Sequence, residues 1–113
     1  MSASALAEIE AAVERAGDAD DALRGVVETL VRHGGCSFAA ILFSEDGGLA
    51  TGPQAGEPDR GRRVQLPVVY EGARVAELVA DGCDDTALLD RVAALIAAHC
   101  LVGWDTAGEP WTP

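Results

Sequence analysis

Residues 64–98 limit what this chain can fold into more than any other stretch: two short strand patterns, separated by a tight turn, lead straight into a capped amphipathic helix. Residues 64–70 and 74–80 are rich in β-branched side chains and largely alternate in polarity, the period of a half-buried strand. Glu71-Gly72 between them supplies a glycine able to take positive φ, so the connection closes as a hairpin. Asp84 and Asp85 then offer oxygens to the first free amides of a helix whose apolar stripe is Leu88, Leu89, Val92, Leu95 and Ile96.

Upstream, Leu6, Ile9, Val13 and Ala16 recur at spacings of three and four, which predicts a short helix over residues 3–16. Gly17-Asp18 interrupts it, and Asp18 caps a second helix that buries Ala22, Leu23, Val26, Val27, Leu30 and Val31 before Gly34-Gly35 ends it. Residues 37–43 form a strand apolar on both sides, so both of its faces need cover. Glu45-Asp46-Gly47-Gly48 reads as a turn into a short strand, 49–51, and residues 53–61 read as loop. Trp104 and Trp111 lie in an irregular segment, 103–113, whose indoles are expected to dock on the domain.

This order makes an α+β chain with an antiparallel sheet. Its 113 residues suit one domain, 1–113, divided into N-terminal helices (1–35), sheet (36–80), C-terminal helix (84–102) and tryptophan-bearing tail (103–113). Eight basic residues, all arginine, against nineteen acidic ones give a net charge of −11, a field that repels phosphate backbones and anionic lipid. Neither nucleic acid nor membrane is therefore expected as a partner. The N-terminus has no basic, then apolar, leader pattern, and nowhere do roughly eighteen apolar residues run together. Cys36, Cys83 and Cys100 make no even disulfide framework. A cytoplasmic location with reduced thiols is the expectation.

The string Asp20-Asp21-Ala22-Leu23 through residues 38–43, the turn Glu45-Asp46-Gly47, residues 66–78, and Asp84-Asp85-Thr86-Ala87-Leu88-Leu89 together resemble a compact GAF domain over nearly the whole chain. The resemblance implies a sheet of about four to five strands in the order second, first, fourth, third, with the N-terminal helices and the C-terminal helix on one face. It also implies a sensory or regulatory role. The section between the early strands and the hairpin, which usually builds the family's ligand pocket, is short here. Without asparagine or lysine, the signature associated with cyclic-nucleotide binding is incomplete.

Among candidate functional residues, Arg60, Arg62 and Arg63 gather on an otherwise acidic chain and suit a small anionic ligand or the acidic patch of a partner; a solvated strand entry is the alternative. Glu77 shares a face with Val64, Leu66, Val68 and Val79 in simple hairpin register, so it is either a pocket carboxylate or the mark of a different register. His33 and Cys36 bracket a glycine turn, and Cys83 follows the neighbouring strand, so the three are a transition-metal corner, a redox pair, or two apolar thiols packed at a helix-sheet junction with His33 capping the helix. His99-Cys100 reads as the partly exposed end of a helix. No Ser-His-carboxylate set, phosphate-binding glycine loop or metal-spaced histidine pair is visible, so no catalytic residue, metal or cofactor is assigned and an enzyme is not expected. The reading is a non-catalytic sensory module. The alternatives are a thiol-dependent enzyme resembling the GAF-type reductases of free methionine sulfoxide, and a structural dimeric adaptor. A homodimer is expected from the apolar stripe of the first helix.

Overall fold

A computed structural model describes residues 2–45 and 48–102. The tail at 103–113, with Trp104 and Trp111, lies outside the described residues, as do Asp46 and Gly47 of the first turn. Two helices, α1 (Ser2–Arg15) and α2 (Ala19–His33), precede strands β1 (Phe38–Glu45), β2 (Gly48–Gly56), β3 (Arg63–Tyr70) and β4 (Ala73–Asp81), and α3 (Thr86–Ile96) follows. Single 3-10 turns occupy Arg60–Arg62 and His99–Val102. The sheet runs β2-β1-β4-β3 with every neighbour antiparallel. This is the α+β architecture and strand order expected from the sequence.

Capping fixes where the helices begin. The Asp18 side chain accepts from the Asp21 amide at 2.8 Å, and Asp85 accepts from the Leu88 amide at 3.0 Å, each satisfying a donor that the first helical turn leaves free. The face of β1 that carries Ala39, Ile41 and Phe43 is buried with Ala76, Leu78 and Ala80 of β4 beneath the helices. There α2 covers β1 and β2, and α3 covers β3. Helix α1 lies on α2 and reaches α3, with Ala5 and Ile9 buried and Leu6 and Val13 packed against the same core. Of the stripe that suggested a dimer, Ile9 is covered within the chain, and Leu6, Val13 and Ala16 stay half-buried. Gly25 permits this approach, since a Cβ there would stand 3.2 Å from that of Ala12.

Two irregularities depart from the sequence reading. β2 is longer than the expected 49–51, and it continues through Pro53 to Gly56 by inserting a bulge: Ala40 pairs with Gln54, but Leu42 pairs with Thr51. Gly52 sits in that bulge because any Cβ would run into the Ile41 carbonyl oxygen and the Phe43 ring. An edge strand with a bulge tolerates a proline that a central strand would not.

The second irregularity lies in the hairpin. Its turn is where the sequence puts it, with Glu71 at φ 50° and Gly72 at φ 84°, the doubly positive geometry of a type I′ turn. Val69 pairs with Arg74, yet Val68 pairs with Ala76, so Val75 is an extra residue that shifts every later pair by one. Glu77 consequently stands opposite Pro67 and Leu42, on the face away from the helices. It does not share a face with Val64, Leu66 and Val68, and the simple register is corrected accordingly. The same far face carries a second buried cluster of Phe38, Ala40, Leu42 and Val79, with Leu49 packed beside it.

Candidate functional site

Where the strands β1 and β4 meet the helix ends, the backbone has to turn sharply on both sides. At the end of α2 the Leu30 carbonyl accepts from the amides of both Gly34, at 3.0 Å, and Cys36, at 3.2 Å, while Gly35 takes φ 80°. This left-handed step re-aims the chain into β1. After β4, Gly82 takes φ 78°, Cys83 turns inward and Asp85 starts α3. Between these two connections lies a cavity of about 520 Å³, lined by residues from four segments: Ala5 of α1; His33, Gly34 and Gly35; Gly82 to Asp85; and Leu88 of α3.

Both cysteines of this corner are buried, and the Cys83 Sγ–H donates to the Gly34 carbonyl at 3.4 Å. The Cys36 thiol is held far above its ordinary pKa, first by burial, then by the hydrogen bond and charge of Cys83, and last by Asp81. Gly34, which accepts from Cys83, and Ser37, which a Cβ on Gly82 would meet at 3.1 Å, flank Cys36, so the two cysteines are neighbours at this corner. Cys100 lies elsewhere in the core, where burial pushes it up to about 12. Asp84 is exposed and Asp85 half-buried, while His33 is exposed. Among the described residues, no group of three or more His, Cys, Asp or Glu side chains could hold a metal ion.

The arginines at 60–63 do not act together. Arg63 is turned onto the far face of the sheet, where its Nε and one Nη donate to the two Asp81 carboxylate oxygens at 2.8 and 2.9 Å. Its guanidinium also stands 5.7 Å from the centre of the Phe38 ring. Arg62 reaches the other way, donating to the Gly82 carbonyl at 3.3 Å with Asp84 at 3.9 Å, so it stands beside two residues of the cavity wall without lining it. Arg60 is exposed on the 3-10 turn. Glu77 accepts from Gln65 at 2.9 Å and from Arg74 at 3.1 Å.

Asp81 escaped the sequence reading, although it is the buried acid around which this end of the sheet is organised. Its carboxylate also takes the Asp59 amide at 2.7 Å, and its backbone oxygen takes the Ser37 amide at 2.8 Å. Burial raises its pKa, but the Arg63 hydrogen bond, the Asp59 amide and the Arg63 charge outweigh burial and hold it below the ordinary carboxylate value. The available signal was a lone acid closing an apolar strand opposite an arginine that opens the adjacent one.

No protein-family model matches the sequence, and no curated protein matches it. Solved structures do match the fold. The GAF domain of an Acinetobacter phosphoenolpyruvate-protein phosphotransferase superposes with a TM-score of 0.74 at 12% identity, over 90% of this chain and 94% of that one. The GAF domain of the Coxiella burnetii phosphoenolpyruvate-protein phosphotransferase gives 0.75 at 14%, over 89% and 93%. Free methionine-R-sulfoxide reductase from Neisseria meningitidis, solved with its substrate, gives 0.73 at 14%, over 88% of each chain. Among the described residues no helix is long and apolar enough to cross a membrane. With its sheet order, its helices on one face and these neighbours, the chain has a GAF-like fold.

Proposed function

We propose that this chain is a non-catalytic sensory module whose input is a small molecule bound in the cavity at the end of the sheet. The observation that carries this reading is where the cavity sits: its walls come from α1, the end of α2 and the start of α3. A ligand there touches all three helices and favours one arrangement of them over others, which is what a regulatory input requires. The lining suggests the ligand class. Asp84 and Asp85 favour an ammonium group, and Arg62, paired with Asp84 beside the cavity wall, favours an anionic one, so a small zwitterion fits both. The ligand expected at Arg60, Arg62 and Arg63 thereby moves to Arg62 and the cavity, because Arg63 is committed to Asp81.

Thermal-shift titration with free amino acids, beside acetate and methylamine as singly charged controls, tests the reading. The zwitterions should raise the melting temperature, and Asp84→Ala and Arg62→Ala should each reduce the shift. A shift that survives in both variants places the ligand elsewhere. The second reading, a thiol-dependent reductase, is favoured by Cys36 and Cys83 lying as neighbours beside a cavity and by likeness of fold to free methionine-R-sulfoxide reductase. Sulfoxide reduction that disappears in Cys36→Ser and Cys83→Ser would replace the sensory reading with this one.

A further inference from the structure

The two buried thiols have a geometry that packing alone does not require. Phe38 and Asp81 are the last paired residues of β1 and β4, and the segments beyond them stay together: the Ser37 amide donates to the Asp81 carbonyl at 2.8 Å. Two residues past that pair in each direction stand Cys36 and Cys83. The neighbours of the two cysteines touch: a Cβ on Gly82 would stand 3.5 Å from the Ser37 nitrogen, and Cys83 donates to the Gly34 carbonyl at 3.4 Å, so Cys36, between Gly34 and Ser37, lies beside Cys83. One of the two, Cys83, also lines the cavity.

We propose that Cys36 and Cys83 are an oxidisable pair, and that the cavity admits the small-molecule disulfide that closes them. Cys83, on the cavity wall, loses its proton and attacks one sulfur of the incoming disulfide. That S–S bond breaks, a mixed disulfide forms on Cys83, and the departing thiolate takes up a proton as the first small thiol. Cys36 then attacks the Cys83 sulfur, the bond to the remaining half breaks, and a second small thiol leaves with the proton from Cys36. The protein loses two hydrogens and the reagent gains them. Burial and the neighbouring thiol disfavour the Cys36 thiolate, so this closing step is the slower one.

Closure has a consequence at the proposed input. Reduced Cys83 donates to the Gly34 carbonyl at the C-cap of α2, and the disulfide has no hydrogen to give. The Gly34 oxygen is then released to the cavity it lines, which favours a ligand with an amino group. This regulatory meaning rests on the cavity being the input; the disulfide chemistry does not.

The reduced full chain is treated with cystamine, a dicationic disulfide suited to the Asp84 and Asp85 rim. Intact mass should fall by two hydrogens, and peptide mapping should link the Cys36 peptide to the Cys83 peptide while Cys100 stays alkylatable. Cys36→Ala should stop at a single cysteamine adduct on Cys83. The proposal is overturned if the unsubstituted chain ends at an adduct, if the link includes Cys100, or if closure needs denaturant. Should Cys36→Ala fail to fold, mapping of the unsubstituted chain decides alone. A chain that closes yet shows no thermal shift in either redox state keeps the dithiol and loses the ligand reading, and a chain that binds without closing does the reverse.

Discussion

Arg63 and Asp81 form an ion pair whose carboxylate is wholly shielded from water and whose guanidinium is 14% exposed, so neither charge can be removed without stranding the other. Arg63→Ala should cost about 3–5 kcal/mol in urea unfolding at neutral pH, the range for a buried pair with one partner deleted. Arg60→Ala, on the exposed turn, should lie within about 0.5 kcal/mol of the parent. The pair also sets an acid limb. Because the folded Asp81 pKa lies below its unfolded value, its stabilisation is complete above roughly pH 4 and drains away as pH falls through the lowered folded value. Asp81→Asn should be less stable at neutral pH and should show a shallower loss on acidification. A parallel loss in both proteins would remove Asp81 from the account of acid unfolding. None of this pairing is legible from the arginines themselves. Three neighbouring guanidiniums look like an anion site until the register shows that one faces an acid across the ladder and another points toward the α3 entry.

The hairpin was legible as an element, and its caps and turn fall where Asp85 and Glu71-Gly72 put them. The bulge at Val75 was not, because residues 74–80 alternate well enough to accept either register. The difference matters to one side chain above all. Deleting Val75 would close the bulge and leave Glu77 opposite Pro67, whereas inserting one alanine between Ala76 and Glu77 should bring Glu77 onto the helix face opposite Leu66 and abolish cooperative thermal unfolding, since an unpaired carboxylate in that core is several kcal/mol unfavourable. Val75→Ala keeps the extra residue and should cost far less. Comparable melting of the insertion and Val75→Ala would mean that the register beyond the bulge does not set the face of Glu77. β2 was underread for a related reason: Pro53 argues against a strand in general, and only the bulge at Gly52 makes it acceptable at this edge.

At the scale of the whole molecule, helix α1 shows how a sequence stripe marks a buried side without naming everything that covers it. The spacing of Leu6, Ile9 and Val13 identifies the apolar side of a helix, but not whether a second chain or α2 covers it. Ile9 is fully buried against its own chain, so Ile9→Asp should lower the melting temperature steeply, with light scattering and circular dichroism reporting an unfolded chain. A folded monomer from that variant would return the stripe to a dimer contact. The helices seal one side of the sheet, which leaves its margins as the places where another strand can attach. Both marginal strands carry a proline, Pro53 in β2 and Pro67 in β3, and a proline has no amide hydrogen to offer an arriving chain. The sheet is thereby fenced at its two borders, and growth into a ribbon of many copies is interrupted at the first added strand, whichever border that strand approaches.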